Sequence, residues 1–446
     1  MEQQPTFWQR YSAMFKMALV AILALVLLIP SMMIRGLISE RKSNQEQVID
    51  EVGSKWGREQ VISGPIISVP FVLSTNNSNQ IQVVEYAHFM PETFEVNGTL
   101  KTEFRYRSIF KVIGYRADLK IIGKLSRPDI SNFNRQTQAG MDLSAAIIQF
   151  PVSDLKGIKE RVMLTVNGKS YEMNPGLTID DIGSSGLWCK INLEEMFSKS
   201  NTVNYEINLK KLDGTQRIGF LPVGKETSVS LQSNWSSPKF DGNFLPETRS
   251  VSQKGFSASW KILNINRNFP QQFSGSNSEV GQSQFWVSFI QPVDHYMLSE
   301  RSAKYAILFI ALTFLTFFFC EITNERKIHP IQYILIGLAL VMFFTLLLSL
   351  SEQVGFDIAY LISASAIIIM IALYAQSILK NIRISSIIGG ILILLYGFIY
   401  IILQLENMAL LFGSIGLFAI LALVMFISRK IDWYQVGIKK QQASDS

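Results

Sequence analysis

The chain has 446 residues, 48% of them hydrophobic and only 17% charged, with a mean hydropathy of +0.23 and a formal net charge of +6. Soluble domains carry about 25% charged residues, so these figures exclude a wholly soluble enzyme, and equally a disordered or fibrous chain. The averages hide two different polymers: residues 36–302 are polar with nearly balanced charge, whereas 17–34 and 303–428 are almost wholly apolar.

The first apolar run, 17–34, approaches the ~20 residues that a helix needs to cross the hydrocarbon core. Arg10 and Lys16 precede it, as in a signal peptide, but the run is long for one and Ser31-Met32-Met33-Ile34 offers no small-residue cleavage site. It reads as an uncleaved anchor with Pro30 in its last turn, where a kink costs little. Residues 36–60 continue as an amphipathic stalk: Val48, Ile49 and Val52 recur at helical spacing, and Gly53 is expected to end it.

Strand signals follow. Residues 61–73 are rich in Ile and Val and are interrupted by Pro65 and Pro70, and 119–125 and 226–232 partly alternate. Asn167-Gly168 predicts a hairpin joining 162–166 to 169–173, and Asp213-Gly214 a second joining 205–209 to 217–221. Asn97-Gly98 and Asp241-Gly242 mark further turns, and the Asn-, Gln- and Ser-rich stretch 264–284 reads as a long loop. Frequent short strands favour a β-rich, sandwich-like domain, inserted between the first and second membrane helices.

Five more spans are predicted, at 303–320, 331–350, 358–379, 387–403 and 409–428. The expected division is thus a terminus and first span (1–35), a β-rich domain outside the cytoplasm (36–302), a five-helix bundle (303–428) and a tail (429–446). Arg326, Lys327, Lys380, Arg383 and the tail cations alternate with loops holding only Glu352, Asp357 and Glu406. Cytoplasmic loops carry the Lys and Arg excess, which places both termini in the cytoplasm. Arg35, Arg41 and Lys42 fall on the other side, at the start of a long translocated domain where the rule weakens. Trp8, Tyr305, Tyr333 and Trp433-Tyr434 stand where interfacial anchors belong.

The positive surplus sits beside the apolar runs and forms no stripe interleaved with aromatics, so nucleic acid is not an expected partner. The two cysteines, Cys189 and Cys320, are expected to be separate buried hydrophobes. Of the three histidines, His88 and His295 read as hydrogen-bonded structural residues, and His329 falls in a loop across the bilayer from them. No catalytic, metal or cofactor-binding pattern is read. Asp180-Asp181 and Glu194-Glu195 are expected to be solvated surface, and Glu321, Glu352 and Glu406 to lie at helix ends within reach of water.

Several strings carry a resemblance. They include Gly64-Pro65-Ile66-Ile67-Ser68-Val69-Pro70, His88-Phe89-Met90-Pro91-Glu92 and Ser233-Asn234-Trp235, then Pro238, Phe240, Gly242 and Phe244-Leu245-Pro246. Further on come Gly255-Phe256, Trp260, Asp294-x-Tyr296, Arg301-x-x-Lys304-Tyr305-Ala306, His329-Pro330, Leu350-Ser351-Glu352 and Asp432-Trp433-Tyr434. In this order they resemble the CreD family of bacterial inner-membrane proteins along nearly the whole chain, most weakly at 120–230 and in the last two spans. The resemblance implies a multi-pass protein tied to the Cre two-component system and to envelope integrity and stress, and it transfers no catalytic residues.

Two groups of residues are candidates for function. Arg301 and Lys304, at the entrance to the second span, can snorkel to headgroup phosphates or pair with Asp294, Glu300 or Glu352 to clamp the domain to the bundle. Trp235, Phe240 and Phe244 read as turn and core, or else as a patch that contacts a partner. The expected function is that of a non-enzymatic envelope protein with a sensing or scaffolding domain, whose partners are membrane lipids and a periplasmic or inner-membrane protein. The alternative is a transporter or lipid-handling protein gated by its outer domain.

Overall fold

The computed structural model describes residues 12–73, 83–131, 133, 137–291, 295–323, 328–405 and 408–429. Asp294, Glu406, Arg326, Lys327, Trp8 and Trp433-Tyr434 lie outside them. The chain divides into two compact units, one of residues 1–44 and 293–446 and the other of 45–292.

The first unit is helical. Its elements are α1 (Ser12–Val26), α2 (Leu28–Trp56, which ends in the second unit), α3 (His295–Lys304), α4 (Ala306–Thr323), α5 (Pro330–Val354), α6 (Phe356–Leu379), α7 (Ile382–Gln404) and α8 (Ala409–Ser428). Counting α1 with α2, six helical stretches among the described residues are long and apolar enough to cross a membrane. Pro30 explains the break at Leu27. It has no N–H for the Val26 carbonyl, so α1 stops, and it then sits in the first turn of α2, where a proline fits. Beside this break the Leu27 carbonyl accepts from both the Ser31 N–H, at 3.4 Å, and the Ser31 hydroxyl, at 2.9 Å. Leu27 itself fills the notch left by Gly337 of α5, where an added Cβ would lie 2.0 Å from its Cδ1. The helix passes Gly53, its expected end, and stops at Trp56.

Aromatic rings hold the bundle. Phe309 of α4 lies tilted against Tyr396 of α7 and Phe343 of α5 packs edge-on against it, with centroids 4.6 and 4.9 Å away, and the Tyr360 hydroxyl of α6 donates to the Tyr396 carbonyl at 2.8 Å. None of the residues of α8 is buried, and its Gly416 lies against Phe398 of α7.

The second unit contains three sheets. The largest has eight strands, in the order Thr248–Ser252, Gly255–Leu263, Glu226–Ser233, Thr93–Arg107, Phe110–Ser126, Thr202–Thr215, Met163–Val166 and Lys169–Glu172. All neighbours are antiparallel except Glu226–Ser233, which runs parallel to Thr93–Arg107. A seven-stranded sheet is built on Gly186–Lys190, Ile147–Pro151, Ile66–Leu73 and Val83–Phe89, and a four-stranded one on Gln60–Ile62, Arg217–Phe220, Phe285–Phe289 and Pro238–Gly242. Alternation does the sorting: Phe94, Val96 and Leu100 point inward while Glu95, Asn97 and Thr99 point out. Phe94, Tyr115, Phe150, Phe220 and Phe285 share one core, and each such ring contributes about 1.5–3 kcal/mol on burial.

The Asn167-Gly168 hairpin forms as expected, with φ of 46° and 85° at its corner. Two other turn expectations fail for identifiable reasons. Asp213-Gly214 lies inside the single strand Thr202–Thr215; the chain absorbs a bulge between Leu209 and Leu212 instead, with Lys211 at φ 53°, and Arg217–Phe220 belongs to another sheet. Asn97-Gly98 is also mid-strand: a Cβ on Gly98 would sit 2.6 Å from Leu119 and 2.7 Å from Leu231, so glycine is there for packing. The expected loop 264–284 holds the strand Gln272–Ser274 and the short helix Ser278–Gln282.

Candidate functional site

The β-rich unit carries a chain of buried polar groups. Antiparallel pairing sets Ser68 of Ile66–Leu73 opposite His88 of Val83–Phe89, and Gln149 comes from Ile147–Pro151 on the other side of Ser68. Ser68, His88 and Gln149 are all 0% exposed. His88 Nδ1 lies 2.8 Å from Ser68 Oγ, and its Nε2 lies 3.2 Å from Oδ2 of Asp181. A carboxylate only accepts, so Nε2 carries the proton. Nδ1 of the neutral ring is then an acceptor, and the Ser68 hydroxyl donates to it. Gln149 Nε2 donates to Ser68 Oγ at 2.9 Å. The bonds therefore run in one direction, Gln149 to Ser68 to His88 to Asp181. Burial pulls the His88 pKa below its ordinary value, and Asp181 opposes that shift.

His88 is thus the hydrogen-bonded structural residue expected. Asp181 is not the free surface residue expected: it is half-buried and pairs with His88, while keeping an edge in water. With the Ser68 hydroxyl fully enclosed, the arrangement has the polarity of a serine triad but no access for a substrate. Cys189, nearby in sequence, is buried as expected, and burial pushes its thiol up to about 12. Among the described residues no group of three or more His, Cys, Asp and Glu is placed to hold a metal ion.

In the helical unit the carboxylates do not all reach water. Glu321 is 7% exposed within α4, which corrects the expectation of a solvated helix end. Its Oε1 meets Lys16 Nζ of α1 and accepts from the Ile328 N–H at 3.1 Å, and its Oε2 accepts from the Tyr333 hydroxyl at 3.2 Å. Lys16 also donates to the Ile328 carbonyl at 3.1 Å. A carboxylate tolerates this depth because a cation and two donors surround it. The turn after Ile328 is fixed by His329, whose Nδ1 accepts from the Ile331 N–H at 3.3 Å ahead of Pro330.

A second cluster joins α2, α3 and α5. Glu352 accepts from the buried Tyr296 hydroxyl at 2.9 Å and has Arg41 Nε at 3.9 Å. Arg35 of α2 donates from Nη2 and Nε to the Ala303 carbonyl at 2.9 and 3.1 Å, and from Nη2 to Lys304 O at 3.3 Å, so it caps the C-terminal end of α3. Lys304 pairs with Glu300 one turn back, at 2.9 Å, and holds that carboxyl below its ordinary range. Of the four junction residues described, Glu300 and Lys304 pair with each other, Glu352 binds other groups, and Arg301 makes no ion pair among the described residues. The unforeseen participants are Arg35, Arg41 and Lys16, which the charge rule treats only as topology signals.

The aromatic candidates sit in the β-rich unit. Trp235 is 9% exposed, packs edge-on against Phe104 and Phe289, and its indole N–H donates to the Ser237 and Ile290 carbonyls at 3.1 and 3.2 Å. Half-buried Phe240 leans edge-on against Phe256 and Trp260, and half-buried Phe244 against Phe285. The exposed apolar side chain in this stretch is Leu245, at 68%.

These features define a class: a multi-span membrane protein with one span ahead of a large β-rich domain and five after it. The family model described as "Inner membrane protein CreD" matches residues 12–434. The chain is 33% identical to the inner membrane protein CreD of Escherichia coli (strain K12), over 100% of this chain and 97% of that one. The chain belongs to the CreD family, as the sequence strings indicated.

Proposed function

We propose that the protein supports cell-envelope integrity under stress without catalysing a reaction. In this reading its β-rich domain lies on the outer side of the inner membrane and senses or scaffolds a component there, and both termini are cytoplasmic. Membrane lipids and one envelope protein are its partners, and a link to a Cre-type two-component system follows from the family resemblance. The observation that carries the reading is α2, a single helix that begins in the apolar span and ends at Trp56 within the β-rich unit. A state of the domain can be passed to the membrane through such an element. The alternating charge of the short loops supports the orientation.

Three measurements test this. A compartment reporter inserted at Gly168, where the hairpin corner has open space, is expected to be active only outside the cytoplasm. A photocrosslinker at Leu245 in living cells is expected to trap an envelope partner. Deletion is expected to sensitise cells to detergent and to cell-wall antibiotics, with rescue by the intact chain. A cytosolic reporter, or unchanged tolerance after deletion, overturns the proposal.

A further inference from the structure

We propose that Ser68, His88, Gln149 and Asp181 form a proton-driven latch, in which a proton taken up by the His88 ring reverses the bonds to Ser68 and Gln149 and tightens the hold on 176–185 through Asp181. The proposal rests on this cluster alone and is independent of the envelope reading.

The geometry permits two hydrogen-bonded states. With the ring neutral, Gln149 donates to Ser68, Ser68 to Nδ1, and Nε2 to Asp181. Gln149 Oε1 is then a buried acceptor with no partner. With the ring charged, both nitrogens donate. Ser68 Oγ must accept from Nδ1, so its own proton turns toward Gln149, whose amide flips to present Oε1. One amide atom of Gln149 is left without a partner in either state, so the count of hydrogen bonds favours neither. The proton decides. Protonation also converts the contact with Asp181 from a neutral hydrogen bond into a charge-assisted one, the stronger kind.

The surroundings restrict the response to this pair. Strand Ile66–Leu73 contributes neutral Ser68, Ile147–Pro151 neutral Gln149, and Gln272–Ser274 the Phe273 ring, 5.1 Å away between centroids. On the strand of His88 itself, Tyr86 shares its face and Glu85 points to the other. From 176–185, Asp181 touches the ring, and its neighbour Asp180 is exposed. The Asp181 side chain is 27% exposed, which gives the enclosed ring a route to water. Because burial lowers the His88 pKa, the latch closes below the ordinary histidine value of about 6.5.

Hydrogen exchange of the full-length protein in nanodiscs tests this, with rates corrected for the intrinsic effect of pH. Protection of peptides within 176–185 is expected to rise about tenfold from pH 7.5 to pH 5, as the neutral hydrogen bond to Asp181 becomes charge-assisted. Peptides from the Asn167-Gly168 hairpin serve as the unchanged reference. Asp181→Asn, on a half-exposed position, is expected to remove the rise while leaving the fold intact. His88→Gln is expected to remove it too, and if that variant fails to fold, Asp181→Asn decides. Equal protection of 176–185 at both pH values, or a rise that survives Asp181→Asn, overturns the latch.

Discussion

The Lys16–Glu321 pair makes a quantitative demand on the helical unit. Its side chains are 27% and 9% exposed, so the lysine touches solvent and the carboxylate hardly does. Lys16→Met leaves Glu321 enclosed with only the Ile328 N–H and the Tyr333 hydroxyl to hold its charge. Removing one partner of a buried pair costs about 3–5 kcal/mol, and the exposure of Lys16 places the expected loss near the lower bound, about 3 kcal/mol. Glu321→Gln keeps one oxygen for the Ile328 N–H, lets its amide nitrogen donate to a turned Tyr333 hydroxyl, and leaves a lysine that can extend to water, so its cost is about 1–2 kcal/mol. In Lys16→Met combined with Glu321→Gln no unpaired charge remains, and the double variant is expected to lose only about 1–2 kcal/mol. The coupling is thus about 3 kcal/mol, well above the ~0.5 kcal/mol scatter of independent sites. Equilibrium unfolding of the full chain in mixed micelles, titrated with a denaturing detergent, measures all four corners of the cycle. Losses that simply add would refute the claim that a buried charge, and not packing, is what the lysine compensates.

Three further outcomes are expected. Because the folded pKa of His88 is depressed by burial, its contribution to stability is complete above the unfolded value of about 6.5 and declines as pH falls through the folded value. Chemical denaturation between pH 8 and pH 5 should therefore show a loss that His88→Gln flattens, even while acid tightens the local contact with Asp181. Gly114→Ala puts a Cβ 2.1 Å from the Trp56 ring, which Arg105 covers at 3.9 Å. Overpacking of this kind costs about 1–3 kcal/mol, so the β-rich domain should melt several degrees lower with altered tryptophan emission. Arg116→Met strips the 2.8 Å partner from Asp213, itself 1% exposed, and leaves Lys159 at 4.0 Å. With the Arg116 side chain 48% exposed, the discounted cost is about 2 kcal/mol, read from the denaturation midpoint.

What was legible in the chain is what local chemistry determines. Six apolar stretches announce themselves because lipid forces every backbone group to bond within its own helix. Asn167-Gly168 announces its hairpin because a two-residue corner needs positive φ and little else. Asp213-Gly214 misleads for the opposite reason: the same dipeptide is carried through a strand whose irregularity falls at Lys211, and Asp213 is held by Arg116 from the neighbouring strand. The candidate site was legible only in part. His88 could be read as a bonded structural residue, but Ser68, Gln149 and Asp181 are spread from 20 to 93 residues away from it and no spacing rule unites them. Glu321 likewise reads as a helix end until the distant lysine that permits its burial is in place. Charge counting saw Arg35 and Arg41 as markers of sidedness, whereas the fold uses them to cap α3 and to meet Glu352.

The separation of 305 residues between Lys16 and Glu321 also has a bearing on assembly. At roughly 5–20 residues per second, a ribosome needs on the order of 15–60 s to cover that distance. For that interval the newborn helix carrying Lys16 must wait in the lipid beside the exit channel without the groups it later docks against, while the whole β-rich insert emerges. The first helix thus stands without its partners, which lie in the second and third spans, until the domain between them has been made.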